Sequence, residues 1–530
     1  MDFVRLVVNS GLVTADTASD FTVKVDAWGL LADAWYFYRF TADGTTSMVG
    51  KTRTMPSGPQ DELKLAVTSC SNYNGGTYFH GYNEIALRTD IDAVLHLGDY
   101  FYEGGGGVSG TGVVIVPPHE TVSLQDYRQR FASYRLDSNL RKLHAMLPWY
   151  VVYDDHETAN NSWFGGAEGH DPSTDGEWFE RKAAALQAYF EWQPIRNNPT
   201  PGDYHIYRKF PLGDLAELIM LDTRLEGRSE QIALGEQGYD DTTRTILGAT
   251  QMQWLKDGLS QSDGQWKIIG QQVIFAPIEL PEIPLLFPGG PANMDQWDGY
   301  RPDRNKVIDH VMDGGIEDVV FLTGDVHTTW ANDVPILNGG YDPETGAGSA
   351  FVEFVVPGIT SGGLDLPVPS VIVSTFNPHV KYLEVSLRGY GVLTVTPEKA
   401  DMQWFHISGV DEPTYAPIDG EHWMVLDGER FLRVYGNVGI PSIGSSTNAG
   451  WITELYPNPS NGILNLELAY PQNKQLELTV LNLLGETVHA KVLSNHTSRT
   501  NIDLADQSAG TYILKLSDGN RTDTQLFVRN

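Results

Sequence analysis

Five apolar, strand-like runs in the middle of this chain each stop at polar residues able to bind a metal or an anion, and that recurrence limits the folds open to it. KLAVTSC stops at Cys70, AVLHLGD at Asp99, and WYVVYDDHE at Asp154, Asp155, His156 and Glu157. LIMLDTR stops at Asp222, Thr223 and Arg224, and VVFLTGDVH at Asp325 and His327. One strand that ends in Gly-Asp is an ordinary turn. Here the runs alternate with amphipathic stretches such as SLQDYRQRFASYRLDSNLRKLHAML and GEWFERKAAALQAYFEW, the pattern of an α/β core with helices packed on its sheets. In such sheets the carboxyl edge of the strands is where ligands bind.

Around this core the sequence predicts three further parts. FTVKVDAW, WYFYRFTA and SMVGKTRTM read as short strands, so residues 1–58 are expected to form a partial immunoglobulin- or fibronectin-like β-domain. A sandwich normally needs more strands, so the chain is expected to begin inside a domain whose first strands are missing. Residues 62–436 carry the α/β pattern, 437–450 (NVGIPSIGSSTNAG) have linker composition, and 451–530 read as a small all-β domain.

Charge narrows the partners. Lys and Arg number 36 against 68 Asp and Glu, a net charge of −32, which repels nucleic acid and anionic membrane over most of the surface. A phosphate-bearing substrate therefore needs a local positive centre, from metal ions or arginines. Cys70 is the single cysteine, so no disulfide forms within the chain. No apolar run approaches the roughly 20 residues of a membrane span. MDFVRLVVNSGLVTADTASD shows no signal-peptide pattern.

The residue types at the strand ends point to metals. Thiolate, phenolate, carboxylate and imidazole together suit a trivalent or borderline transition metal. Asp155 with Asn160 or Asn161 suits a harder cation such as calcium. Metals about 3.5–4 Å apart can clamp a phosphoryl group and generate a hydroxide nucleophile. His156 could then donate a proton to the leaving oxygen, and Arg224 and Arg228 offer forked donors for phosphate oxygens. The bland alternatives are that Cys70 is a small buried hydrophobe, that Tyr102 only packs, and that the arginines pair with surface acids.

The ordered set Cys70, GDYFYE, DDHETANN, LDTRLEGR, WDGY and GDVH resembles the PhoD-type alkaline phosphatases and phosphodiesterases of the calcineurin-like metallophosphoesterase superfamily. MQWLKDGL, QWKIIGQQV, FVVPGITS and NPHVKYLEVSLRGYG extend the resemblance over roughly residues 20 to 410. It implies a four-layer α/β/β/α core. It also implies the metal ligands Cys70, Asp99, Tyr102, Asp155, Asn161, Asp298, Asp325 and His327, with Tyr100 left out. The choices between Asn160 and Asn161, and between Asp295 and Asp298, stay open. His156, Arg224 and Arg228 would be the catalytic groups, and the metals ferric iron (Fe3+) with calcium (Ca2+), zinc or manganese being the alternatives. The implied reaction is hydrolysis of phosphomonoesters and phosphodiesters by attack of a metal-bound hydroxide on phosphorus. Tyr153 departs from the family's tryptophan before the paired aspartates.

ELYPNPSNGILNLEL, LTVLNLLGETV and LADQSAGTYILKLSDG resemble the C-terminal sorting domain of the type IX secretion system of Bacteroidota. That resemblance implies a secreted or cell-surface protein with the secretion machinery as a partner. A monomer with no nucleic-acid surface is expected. Two other functions draw on parts of the same sequence. A phospholipase D-like phosphodiesterase would use ELPEIPLLFPGG, residues 279–290, as a lipid-facing patch. A non-enzymatic surface protein would need a dead site, yet every candidate ligand position carries a competent residue.

Overall fold

The computed structural model describes residues 7–196, 202–283, 287–336, 340–363, 370–435, 451–468, 475–482, 485–495, 497–518 and 522–529. All five strand-like runs of the central region are strands. Leu63–Thr68 is apolar and largely buried, and it sits inside a seven-stranded sheet. Ala93–His96 and then Trp149–Val151 continue parallel on one side of it. Arg388–Val395, Lys399–Ile407, Pro417–Leu426 and Arg433–Val434 follow on the other, each antiparallel to its neighbour.

The second seven-stranded sheet runs Arg208–Leu212, Ala216–Met220, Trp266–Gln271, Val319–Thr323, Ser349–Val355, Thr329–Pro335, Val380–Glu384. Four of these, from Ala216–Met220 to Ser349–Val355 in that order, are mutually parallel. Side chains of both sheets share one core, with Val67, Leu95 and Met402 of the first and Met220, Leu322 and Phe354 of the second. The Trp404 indole joins the two sheets, donating to the Val355 carbonyl at 3.0 Å. The amphipathic stretches are helices. Leu124–Tyr134 starts at a capping box of Ser123 and Asp126, and its Arg128 pairs with Glu191 of the helix Trp178–Trp192 at 2.6 Å.

The N-terminal segment departs from the expected run of strands. Trp35–Tyr38 pairs with Gly50–Arg53, and Thr41–Ala42 with Thr45–Thr46, but FTVKVDAW is not a strand. Its neighbourhood is held by side chains of the helical region instead. Arg128 donates to the Ala18 carbonyl at 2.8 Å, Trp192 to Asp20 at 3.1 Å, and Lys24 reaches the Phe190 carbonyl. Side-chain anchoring of this kind leaves no neighbouring strand to complete a ladder.

The predicted linker 437–450 lies outside the described residues. After it, the tail is all-β. Ile452–Tyr456, Ile463–Leu468 and Arg499–Asp503 form one antiparallel sheet, and Thr487–Leu493, Leu476–Asn482, Gly510–Ser517 and Thr522–Arg529 another. Leu464, Leu466, Leu478, Val480, Leu514 and Phe527 lie in one shared core. The stretch 279–290 is a hairpin of Glu279–Ile283 with Phe287–Pro291, and its residues 284–286 lie outside the described set. Among the described residues no helix is long and apolar enough to cross a membrane.

Candidate metal centre

Parallel strands place their carboxyl ends on one edge of each sheet, and here the two edges meet. Leu63–Thr68, Ala93–His96 and Trp149–Val151 deliver Cys70, Asp99 and the run Asp154-Asp155-His156. Ala216–Met220 delivers Arg224, and Val319–Thr323 delivers Asp325 and His327. Two glycines permit the close approach. A Cβ on Gly98, whose φ is +111°, would lie 2.4 Å from the Asp154 Cβ, and one on Gly324 would lie 2.8 Å from the Ser69 Cβ.

Cys70, Asp99, Asn161, Asp325 and His327 all adopt left-handed backbone, with φ of 59°, 54°, 51°, 62° and 57°. Residues with a Cβ rarely do so, and several together mark strain that the surroundings must hold in place. Glu157 supplies part of that hold. Its buried carboxylate accepts the backbone N–H groups of Asp99 at 3.0 Å, Tyr100 at 2.6 Å and Asp154 at 2.9 Å, tying two adjacent strand ends together.

Three overlapping groups of donor atoms result, each with its atoms within 4.8 Å of one another: Cys70, Asp99 and His327; Asp99, Asp155 and His156; and Asp154, Asp155 and Asp325. Asp99 is common to the first two and Asp155 to the last two. The Tyr102 hydroxyl donates to Asp99 Oδ2 at 3.0 Å and lies 2.8 Å from His327 Nε2. It also accepts the Ser361 hydroxyl at 2.7 Å. Tyr100 points elsewhere, its hydroxyl 2.9 Å from His144 Nε2.

Negative charge exceeds what the site's own cations offset. Burial pushes the Cys70 thiol well above its ordinary range, and Asp99, Asp325 and Asp154 push it further. Burial likewise raises the Tyr102 phenol, with Asp99 adding to the effect. Burial drives Asp154 well up against the opposing pull of Arg224, and its Oδ2 has no hydrogen-bond partner. Asp325 is pushed to about 6, chiefly by burial, again against Arg224. Burial alone would lower His156. Glu103, whose Oε2 is 2.6 Å from Nδ1, outweighs it together with Asp155 and Asp99 and holds the imidazole well above its ordinary value.

Three of the expected site residues are engaged with other protein groups. Arg224 is fully buried and all three of its nitrogens are taken: Nε by Asp154, Nη1 by Asp295 at 2.7 Å and Nη2 by Asp325 at 2.8 Å. Arg228 is also buried, donating to Asp295 and to the Thr223 carbonyl at 3.0 Å. Both guanidiniums are paired with the aspartate cluster, and Arg228 Nε is left buried without a hydrogen-bond partner. Asp298 is the third: its carboxylate is bonded to Arg304, whereas Asp295 is the one beside Arg224 and Arg228. Asn161 sits at the edge of the cluster, with its N–H on Asp155 Oδ2 at 2.6 Å and its side-chain amide on Glu168 at 2.6 Å.

The resemblance assigned no role to Asp154, Glu103, Glu157 or Ser361, and it left Asp295 open as the alternative to Asp298. All four lie inside quoted stretches: Glu103 ends GDYFYE, and Asp154 and Glu157 flank Asp155 and His156 in DDHE. Ser361 ends FVVPGITS and carried no signal of its own.

A family described as PhoD-like phosphatase matches residues 65–404, and one described as the PhoD-like phosphatase N-terminal domain matches residues 1–56. A secretion system C-terminal sorting domain matches residues 454–530. The chain is 36% identical over 468 residues to a protein of Bacillus subtilis (strain 168) named alkaline phosphatase D, covering 85% of this chain and 76% of that one. A solved structure titled "Structure of PhoD" superposes with a TM-score of 0.73 at 33% identity, over 83% of this chain and 85% of that one.

Proposed function

The chain belongs to the PhoD-like phosphatase family and is a phosphoester hydrolase with a secretion sorting tail, and from that premise we propose that it cleaves both phosphomonoesters and phosphodiesters at the centre around Asp99. The observation that carries this reading is the convergence of the chain's single cysteine with Asp99, His327 and the Tyr102 hydroxyl.

The residues present fit metal ions. Asp154 Oδ2 is a buried oxygen without a partner, and burial, with the neighbouring carboxylates adding to it, raises the proton affinity of Asp154 and Asp325 as it would where a cation is needed. Cys70, Asp99, Tyr102 and His327 would hold one ion; their thiol, phenol and imidazole favour ferric iron. Asp154, Asp155 and Asp325, with Asn161 at the edge, would hold a harder ion such as calcium. Ions bound there would polarise the phosphoryl group and activate the hydrolytic water.

The chain's own groups do the rest. Glu103 engages His156 Nδ1, fixes the ring and favours its protonated form, which leaves Nε2 as the nitrogen able to give a proton to the leaving oxygen. Arg224 and Arg228 neutralise the aspartates and fix their directions, so the ligand oxygens are set before substrate arrives. Ser361 and Asp99 hold the Tyr102 hydroxyl from two sides.

The same reading takes the two seven-stranded sheets as the inner layers of an α/β/β/α core, which their shared core supports. It keeps 1–58, 62–436 and 451–530 as the domains, and a monomer as the working form. Purified protein supplied with iron and calcium is expected to release nitrophenolate from both p-nitrophenyl phosphate and bis(p-nitrophenyl) phosphate. No release from either would contradict the proposal.

A further inference from the structure

With Arg224 and Arg228 paired to aspartates, His156 and bound metal ions are the positive groups so far placed at an acidic site. None of them is a guanidinium donor for phosphoryl oxygens. We propose, on the basis of the phosphoesterase reading above, that Arg388 is the arginine that grips the substrate's phosphoryl oxygens. Nothing in the sequence had singled it out within NPHVKYLEVSLRGYG.

Arg388 is tied to the same loop that closes over Cys70. After the strand Ser349–Val355 the chain passes directly over the site. The Ile359 N–H donates to the Ser69 carbonyl at 2.9 Å, and the Ser361 hydroxyl reaches the Cys70 carbonyl at 2.9 Å and the Tyr102 hydroxyl at 2.7 Å. The next two residues are Gly362 and Gly363, and the Arg388 guanidinium lies against them. Cβ atoms built on these glycines would be 3.7 Å from Nη2 and 3.9 Å from Nη1. At the backbone, the Gly389 N–H donates to the Gly358 carbonyl at 3.1 Å. The residue that touches Tyr102 is therefore separated from Arg388 by glycines alone, and no side chain stands in between on that loop.

The guanidinium is only partly used. Nη1 donates to the Ser386 carbonyl, while Nε is buried and has no hydrogen-bond partner. Among the described residues no carboxylate pairs with Arg388, in a chain where acids outnumber Lys and Arg by 68 to 36. Nη2 is the nitrogen that is neither bonded to protein among the described residues nor closed off from solvent. The guanidinium's planar, permanently charged N–H donors suit a phosphoryl oxygen in a way that the point charge of lysine does not reproduce.

Arg388→Ala and Arg388→Lys test this through inorganic phosphate as inhibitor, p-nitrophenyl phosphate as substrate, and thermal melting as a check on folding. In the alanine variant the phosphate inhibition constant and KM are expected to rise about tenfold or more, the scale for losing hydrogen bonds to a charged group. Lysine restores the charge without the fork, so its values are expected to fall between alanine and wild type. Wild-type phosphate inhibition in an alanine variant that melts like the parent overturns the proposal. If the alanine variant does not fold, the lysine variant decides alone: unchanged inhibition overturns the assignment, and weakened inhibition supports it. Wild-type protein that hydrolyses nothing would sink the phosphoesterase reading instead, and phosphate binding by calorimetry to wild type and variant would still decide the role of Arg388.

Discussion

Asp99→Asn protein is expected to fold normally and to lose hydrolysis by about a thousandfold or more, equivalent to roughly 4 kcal/mol or more of transition-state stabilisation. Both halves of that expectation come from the same residue. Asp99 belongs to two of the three donor groups, and it accepts the Tyr102 hydroxyl at 3.0 Å. Removing its charge therefore weakens the hold on both proposed ions at once. Folding is spared for a backbone reason. Asp99 has φ +54°, and asparagine is among the few residues that tolerate left-handed backbone. The strand end stays anchored, because the Glu157 carboxylate binds the backbone N–H of residue 99 and not its side chain. The check is turnover beside thermal melting: a variant that melts like wild type and retains turnover within about tenfold would remove Asp99 from the centre of the account.

His156→Ala is expected to lower turnover by about 10²–10⁴-fold, the usual range for one positioned proton donor. The imidazole carries no backbone load, since its strand end is fixed by Glu157 and by the His156 N–H on Asp155 Oδ1 at 2.8 Å. Its loss therefore falls on chemistry. Glu103→Gln is the companion variant. Glutamine has one acceptor oxygen for the two bonds that Glu103 accepts, from Nδ1 and from the Asn160 N–H at 2.7 Å, and it gives up the charge that favours the imidazolium, so its turnover should lie between the wild type and His156→Ala. A leaving group as good as p-nitrophenolate needs little help from a proton, so the effect of His156→Ala should grow with alkyl phosphates of high leaving-group pKa. Equal losses across leaving groups would contradict a proton-donating role.

The strand ends were legible because an apolar run that stops at a metal-capable residue is a local pattern, and its repetition fixed the α/β core and its ligand-bearing edge. Residues whose role depends on tertiary partners were harder to place. WDGY and the preceding MDQ offer Asp298 and Asp295 three residues apart, and only the fold shows that Arg304 takes one while Arg224 and Arg228 take the other. Arg224 and Arg228 themselves look like free phosphate binders in LDTRLEGR, because burial is invisible in a motif. FTVKVDAW alternates like a strand, yet contacts from Arg128, Trp192 and Lys24 settle its neighbourhood without one. Glu157 reads as one more acid in DDHE, and its work of accepting three backbone N–H groups from two strand ends appears only in three dimensions.

The most direct test of a metal-dependent centre is to dialyse the protein against a strong chelator and measure metal content and p-nitrophenyl phosphate hydrolysis on the same samples. Activity should fall in step with metal content and return when iron and calcium are added back. Undiminished hydrolysis by protein shown to be free of metal would contradict the account.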